Sequence, residues 1–162
     1  MTIRTRIPHA LDNPPVPVRV RLAAAWTSFM FLYVYVDILN FYKPGVVGSI
    51  LDGLVWRFEV SPTLLTVMLA SVAVPALMVV LSMILPARVN RVTNLVVAAV
   101  YIPYSAFNAA GATGEWAFFY GLSIGIEVLL LVVILRSAWA WPRTPATPGA
   151  SVATDLRQSV AG

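Results

Sequence analysis

The sequence predicts an all-α protein, a membrane-embedded antiparallel four-helix bundle with a short outer interfacial helix between the first and second helices. Three observations predict it. Leu22 to Phe41, Thr63 to Leu85, Val92 to Ala110 and Trp116 to Leu135 run 20, 23, 19 and 20 residues, matching the ~20 residues that cross a ~30 Å hydrocarbon core as helix. These runs are continuously apolar, whereas the strands of a membrane barrel alternate every second residue and are ~10 residues long. Finally, the 162 residues are 59% apolar and 11% charged, with mean hydropathy +0.82, against the ~25% charge of soluble domains.

Charge sets the orientation of the four spans. Outside them, Arg4, Arg6, Arg19, Arg21, Arg88, Arg91, Arg136, Arg143 and Arg157 share one side, nine cations in all. The other side has only Lys43 and Arg57, with the acids Asp52, Glu59 and Glu115. The positive-inside bias therefore places both termini in the cytoplasm. The first span is too long for the apolar region of a signal peptide, carries Asp37 and lacks a small-residue cleavage pattern, so it is expected to remain. Residues 1–18 and 142–162 are rich in Pro, Thr, Ala and Ser and read as disordered cytoplasmic tails on either side of a transmembrane domain over 19–141.

The first connection is more than a linker. Between Val46 and Phe58, the apolar Val47, Ile50, Leu51, Leu54, Val55 and Phe58 share one helical face, with Ser49, Asp52, Gly53 and Arg57 opposite. A short helix on the outer interface follows, acting either as a cap or as a substrate-gating lid. The second connection, Pro86 to Arg91, and the third, Gly111 to Glu115, are short enough to be antiparallel turns. Pro75 and Pro103 interrupt the second and third helices, where each deletes a backbone hydrogen bond and allows a kink.

Two formal charges lie within the spans, Asp37 and Glu127, and each costs about 2.5 to 3.5 kcal/mol if left ionised at the bilayer centre. Both are expected to face protein or water. Asp37 falls roughly 22 Å above the inner boundary and Glu127 about 16 Å below the outer one, close to the midplane. Each belongs to a polar and aromatic stripe at helical spacing: Trp26, Met30, Tyr33, Asp37 and Asn40 on the first helix, and Trp116, Tyr120, Ser123 and Glu127 on the fourth. The third helix has Asn94, Ala98, Tyr101, Ser105 and Asn108 in the same register. These stripes suggest a polar pocket opening to the outer half, made by Glu127, Asp37, Tyr33, Asn40, Tyr101, Tyr104, Asn108, Tyr120 and Ser123. The same groups also suit plain interhelical hydrogen bonding, and Asp37, close to Lys43 and Arg57, a plain ion pair or helix-end role.

Ala117, Gly121 and Gly125 form a small-residue row on the fourth helix, which lets backbones approach closely. Glu127 lies about 200° around the helix from Gly125, so a row facing away from the pocket would meet a peripheral helix or a second copy of the protein. A homodimer through this helix is one expectation. Trp26, Trp116, Trp139 and Trp141 are expected as interfacial anchors.

Absent motifs narrow the function. With no cysteine and a single histidine, His9, there is no disulfide framework, thiol nucleophile or histidine metal site. No phosphate-binding glycine loop or serine elbow occurs, so neither a cofactor nor a metal is expected. The excess of eleven cations over seven acids belongs to loops and tails and argues for orientation in a lipid bilayer, not for a nucleic-acid partner.

One resemblance is carried by Ala25-Trp26-Thr27, Met30-Phe31, Tyr33, Tyr35, Asp37 and Phe41-Tyr42-Lys43-Pro44-Gly45, then by Val89-Asn90-Arg91, Asn94, Glu127 and Ala138-Trp139-Ala140-Trp141-Pro142. The stretch Val18 to Pro142 resembles a bacterial family of small four-helix integral membrane proteins classed as a domain of unknown function. The resemblance implies four helices and a bacterial plasma (inner) membrane, and brings no activity, substrate or partner.

Three functions remain in order. The first is a proton-linked carrier or binding protein for an unidentified small solute, with Glu127 exchanging protons. The second is a non-catalytic accessory or scaffold subunit that binds another membrane protein or lipid. An enzyme comes last, because the acids and tyrosines supply acid–base groups but no electrophile or cofactor site.

Overall fold

The computed structural model describes residues 14–108 and 114–142. Four long helices dominate: α1 (Val18–Asn40), α3 (Pro62–Ile84), α4 (Ala87–Asn108) and α5 (Ala117–Trp139), with the short α2 (Val46–Leu51) between the first two. The long helices hold 22 or 23 residues each, a rise of about 34 Å. The all-α class holds. The tails over 1–13 and 143–162, read as disordered from composition, Ala109 and Ala110 of the third run and residues 111–113 of the third connection lie outside the described residues.

Local chemistry sets the helix starts. Pro17, in extended geometry, precedes α1. Ser61 caps α3 by accepting a hydrogen bond from the Leu64 amide at 3.1 Å, and Pro62 occupies the first turn, where its missing N–H costs nothing. Helices α3 and α4 run unbroken through Pro75 and Pro103.

Two expectations are corrected in the connections. The second is only Leu85 and Pro86, because α4 starts at Ala87 and its first turns contain Arg88, Asn90 and Arg91. Apolar composition marks where a helix enters hydrocarbon, not where its backbone begins. The outer helix expected over Val46 to Phe58 stops at Leu51. Gly53, at φ 78°, ends it, and Leu54–Val55 then pairs with Phe58–Glu59 as a small antiparallel hairpin. Left-handed backbone at Trp56, φ 56°, makes the reversal. A helical face was legible there, but a glycine in left-handed geometry breaks the helix after one and a half turns.

Three helices are long and apolar enough to cross a membrane, Val18–Asn40, Pro62–Ile84 and Gly114–Trp139. The last is α5 with the preceding 3-10 turn, Gly114–Trp116. Helix α4 is described only as far as Asn108, short of the end of the expected run Val92 to Ala110, and over that length it is not among the three.

Helix α1 packs against α3 and α5, and α5 against α4, whereas the consecutive α3 and α4 touch over little of their length. Side-chain bonds give the directions. Arg19, at the start of α1, donates to the Met83 carbonyl at the end of α3, and Lys43, just past α1, donates to Tyr120 at the start of α5. Neighbours are thus antiparallel. We call the end holding the N-terminus of α1 the base, and the opposite end the top.

Burial is uneven along the axis. Leu22, Trp26 and Phe29 of α1, Met78 of α3, Ala98 of α4 and Leu131, Ile134 and Ala138 of α5 make a core in the base half. Beyond Phe29 no residue of α1 is buried, and none of α3 before Pro75. The surface is the reverse of a soluble bundle's. Phe31, Val67, Leu69, Leu77, Val80, Val100, Phe118 and Leu129 stand exposed, while the interior contains Ser82, Asn90, Asn94, Ser105, Ser123 and Glu127. An apolar exterior this extensive requires an apolar solvent or a partner.

Candidate functional site

Polar side chains follow the axis between α1 and α4 as a ladder of distinct layers. At the base, the Trp26 indole donates to Asn94 Oδ1 at 2.7 Å, and Ser82 reaches the same oxygen at 3.4 Å. Asn94 Nδ2 donates to Asn90 Oδ1 at 2.7 Å, and Asn90 Nδ2 to the Ser82 carbonyl at 2.6 Å. All four side chains are fully buried. The reading of Trp26 as an interfacial anchor is corrected here: its ring lies inside, because Asn94 offers the acceptor that a buried indole N–H needs.

Above this layer the aromatic rings interlock. Tyr101 packs edge-on against Trp26, Phe29 and Tyr104, with centroids 6.2, 5.9 and 5.4 Å away. Its hydroxyl donates to the Ser71 carbonyl across the weakly packed face between α4 and α3. Higher again, Tyr33 donates to Tyr104 at 3.2 Å and accepts from Asn108 at 3.1 Å.

Glu127 stands on α5 where the core ends. It is 4% exposed, and its Oε2 has no hydrogen-bond partner. Ser105, on the neighbouring α4, is fully buried and its hydroxyl is also without a partner. Ser123, one turn above Glu127, turns its hydroxyl back to the Tyr120 carbonyl at 3.0 Å. Asp37, on α1, is exposed.

The top layer gathers around Lys43. Its ammonium donates to Tyr120 at 2.7 Å and lies over the Tyr120 and Trp116 rings, 4.7 and 5.2 Å from their centroids. Tyr120 donates in turn to Asn40 Oδ1 at 3.0 Å. The lysine thus meets two aromatic faces and a phenol.

The residues singled out from the sequence therefore fall into groups. Tyr33, Tyr104 and Asn108 form one cluster, Asn40 and Tyr120 another, and Tyr101 belongs to the aromatic stack. Glu127 and Ser123 are buried on the inner face of α5, whereas Asp37 and Asn108 are exposed. Ala117, Gly121 and Gly125 are exposed too, and a side-chain carbon added at either glycine would meet nothing within 4 Å. Cavities of about 410 and 310 Å³ lie at the base, and none of the predicted pocket residues lines them.

Sequence reasoning gave Ser82, Asn90 and Lys43 no place among the polar contacts of the interior. Asn90 had a signal: it continues the Asn94 stripe back by four residues. Ser82 and Lys43 had none, because their roles depend on which helix end faces them.

Residues 18–144 match the model of a family of unknown function (DUF6326). No curated protein and no solved structure matches the chain.

Proposed function

The chain belongs to DUF6326, a family of unknown function, and from its own residues we propose an integral membrane protein that binds or carries a small solute in exchange for protons at Glu127. In this reading α1, α3, α4 and α5 form an antiparallel bundle across a bacterial plasma membrane with both termini cytoplasmic. The apolar exterior and the nine cations on one side of the spans support that placement.

One observation carries the role of Glu127. A buried carboxylate oxygen and a buried serine hydroxyl on facing helices both lack partners, although one could donate to the other. Buried polar groups are otherwise satisfied, as the Trp26, Asn94 and Asn90 layer is. The vacant bonding capacity suits a proton, a water or a polar solute group between Ser105 and Glu127. Tyr33, Tyr101, Tyr104 and Asn108 line the approach in this reading, and Asp37 offers a second carboxyl nearer the top.

The test is infrared titration of the carboxyl C=O band in lipid, comparing wild type with Glu127→Gln. A band that responds to pH and is lost in the variant is the expected result. If the variant keeps every pH-dependent band, or retains pH-dependent solute uptake in vesicles, proton exchange at Glu127 is refuted.

A second reading, an accessory or scaffold subunit, is favoured by the row Ala117, Gly121 and Gly125, which is exposed among the described residues, with nothing within 4 Å of a carbon added at either glycine. Such a row suits close approach of another helix, including one from a second copy. A stoichiometric partner, or a cross-linked dimer, that disappears in Gly121→Leu supports this reading. Monomers alone in native membranes count against the second copy.

A further inference from the structure

Arg91 presents a group that the Glu127 site does not use. It stands in the second turn of α4, with its guanidinium over the Trp139 ring, 5.6 Å from the centroid. Its Nε is buried and has no hydrogen-bond partner. Beside it lies the cavity of about 410 Å³, lined by Arg91, Trp139, Ala140 and Trp141. The cavity of about 310 Å³, lined by Arg21, Val133, Arg136, Ser137 and Ala140, adjoins it. Ala140 borders both, so two grooves meet around the end of α5 and draw one arginine each from α1, α4 and α5.

Among the described residues the acids are Asp37, Asp52, Glu59, Glu115 and Glu127. The first four belong to the top, and Glu127 is about 18 Å along α5 from Trp139 at helical rise. The carbonyls ending α5 are partial negative charges, and Arg136 in its last turn offsets them. Among the described residues this end holds arginines and no acid, and Arg91 Nε there is without a partner.

The Arg91 guanidinium carbon lies 5.6 Å from the Trp139 ring centroid, and a guanidinium beside an aromatic ring keeps N–H donors that can take the oxygens of a phosphate. A free inorganic ion needs only the charges, whereas two indoles at the rim of a basic groove match the depth of lipid headgroups.

We propose that Arg91, Trp139 and Trp141 bind the phosphate diester of an anionic phospholipid headgroup, with Arg21 and Arg136 holding the rest of the headgroup in the adjoining groove. The proposal rests on the membrane placement above and is independent of proton exchange at Glu127.

The full chain is reconstituted in phosphatidylcholine bilayers carrying brominated phosphatidylglycerol or brominated phosphatidylcholine at equal mole fraction. Quenching of the Trp139 and Trp141 fluorescence is read by difference against the Trp139→Phe/Trp141→Phe variant. The wild type is expected to prefer the anionic lipid, Arg91→Gln to lose at least about fivefold of that preference, and Arg91→Lys to lose part of it. Arg88→Gln, whose residue lines neither groove, keeps more of the preference than Arg91→Gln. Equal quenching by the two lipids in the wild type overturns the proposal without needing any variant to fold. Equal losses in Arg88→Gln and Arg91→Gln also overturn it, since the attraction is then diffuse. Loss of the preference on adding inorganic phosphate assigns the groove to the free ion and overturns the lipid. Flotation with the vesicles separates the two readings: a chain that does not float overturns the membrane placement and this site together, and one that floats without lipid preference overturns this site alone.

Discussion

Two buried polar regions of this protein are built from similar residues and differ in one respect. At the base, Trp26, Ser82, Asn90 and Asn94 connect through bonds of 2.6 to 3.4 Å and leave no side-chain donor or acceptor idle. Where the core ends, Ser105 and Glu127 are as deeply buried and leave an oxygen each without a partner. A completed network contributes stability and register, because breaking it strands groups where water cannot replace the lost bonds. An incomplete one contributes little to the fold and keeps its bonding capacity for something else.

The difference predicts opposite responses to mutation. Asn94→Leu, which strands the Trp26 indole and Asn90, is expected to lower stability by about 3 kcal/mol in detergent or lipid unfolding. A loss no larger than that of an exposed position would remove the scaffold role of the base layer. Trp26→Phe keeps most of the ring packing but deletes the donor, and its expected cost is about 1 to 2 kcal/mol on the same measurement.

Glu127→Gln should change stability by less than about 1 kcal/mol, because the oxygen it replaces has no partner to lose, while pH-dependent binding disappears. A large destabilisation would instead make the carboxyl structural. Ser105→Ala should be the mildest, within about 0.5 kcal/mol, since the hydroxyl it removes is unpartnered. If Ser105→Ala proves as costly as Trp26→Phe, the contrast between the two regions fails.

Much of the candidate site was legible. The spacing of Asn94, Ala98, Tyr101 and Ser105 marked one face of a helix, and all four are buried. Glu127 stood out because an acid in an apolar run must face protein or water, and it lies inside with Ser123 one turn away. Less legible was the fate of Trp26, whose nearness to a helix end suggested an interface. Its indole went inward because Asn94, 68 residues later, supplied an acceptor. Lys43 read as an outer loop cation, yet it closes the top against Trp116 and Tyr120. The hairpin Leu54–Glu59 was hidden behind a helical face, since a face pattern counts apolar residues and not the left-handed backbone at Gly53 and Trp56.

The sequence by itself determined the helical class, the apolar exterior and the polar stripe on each of α1, α4 and α5, because residues three and four apart share a face on any helix. Only the tertiary structure decided that Asn94 would be completed by Trp26 while Glu127 and Ser105 would remain without bonds. That outcome depends on how far facing helices separate along the axis. Helical period fixes which residues point together on one helix, and is blind to the distance at which another helix meets them.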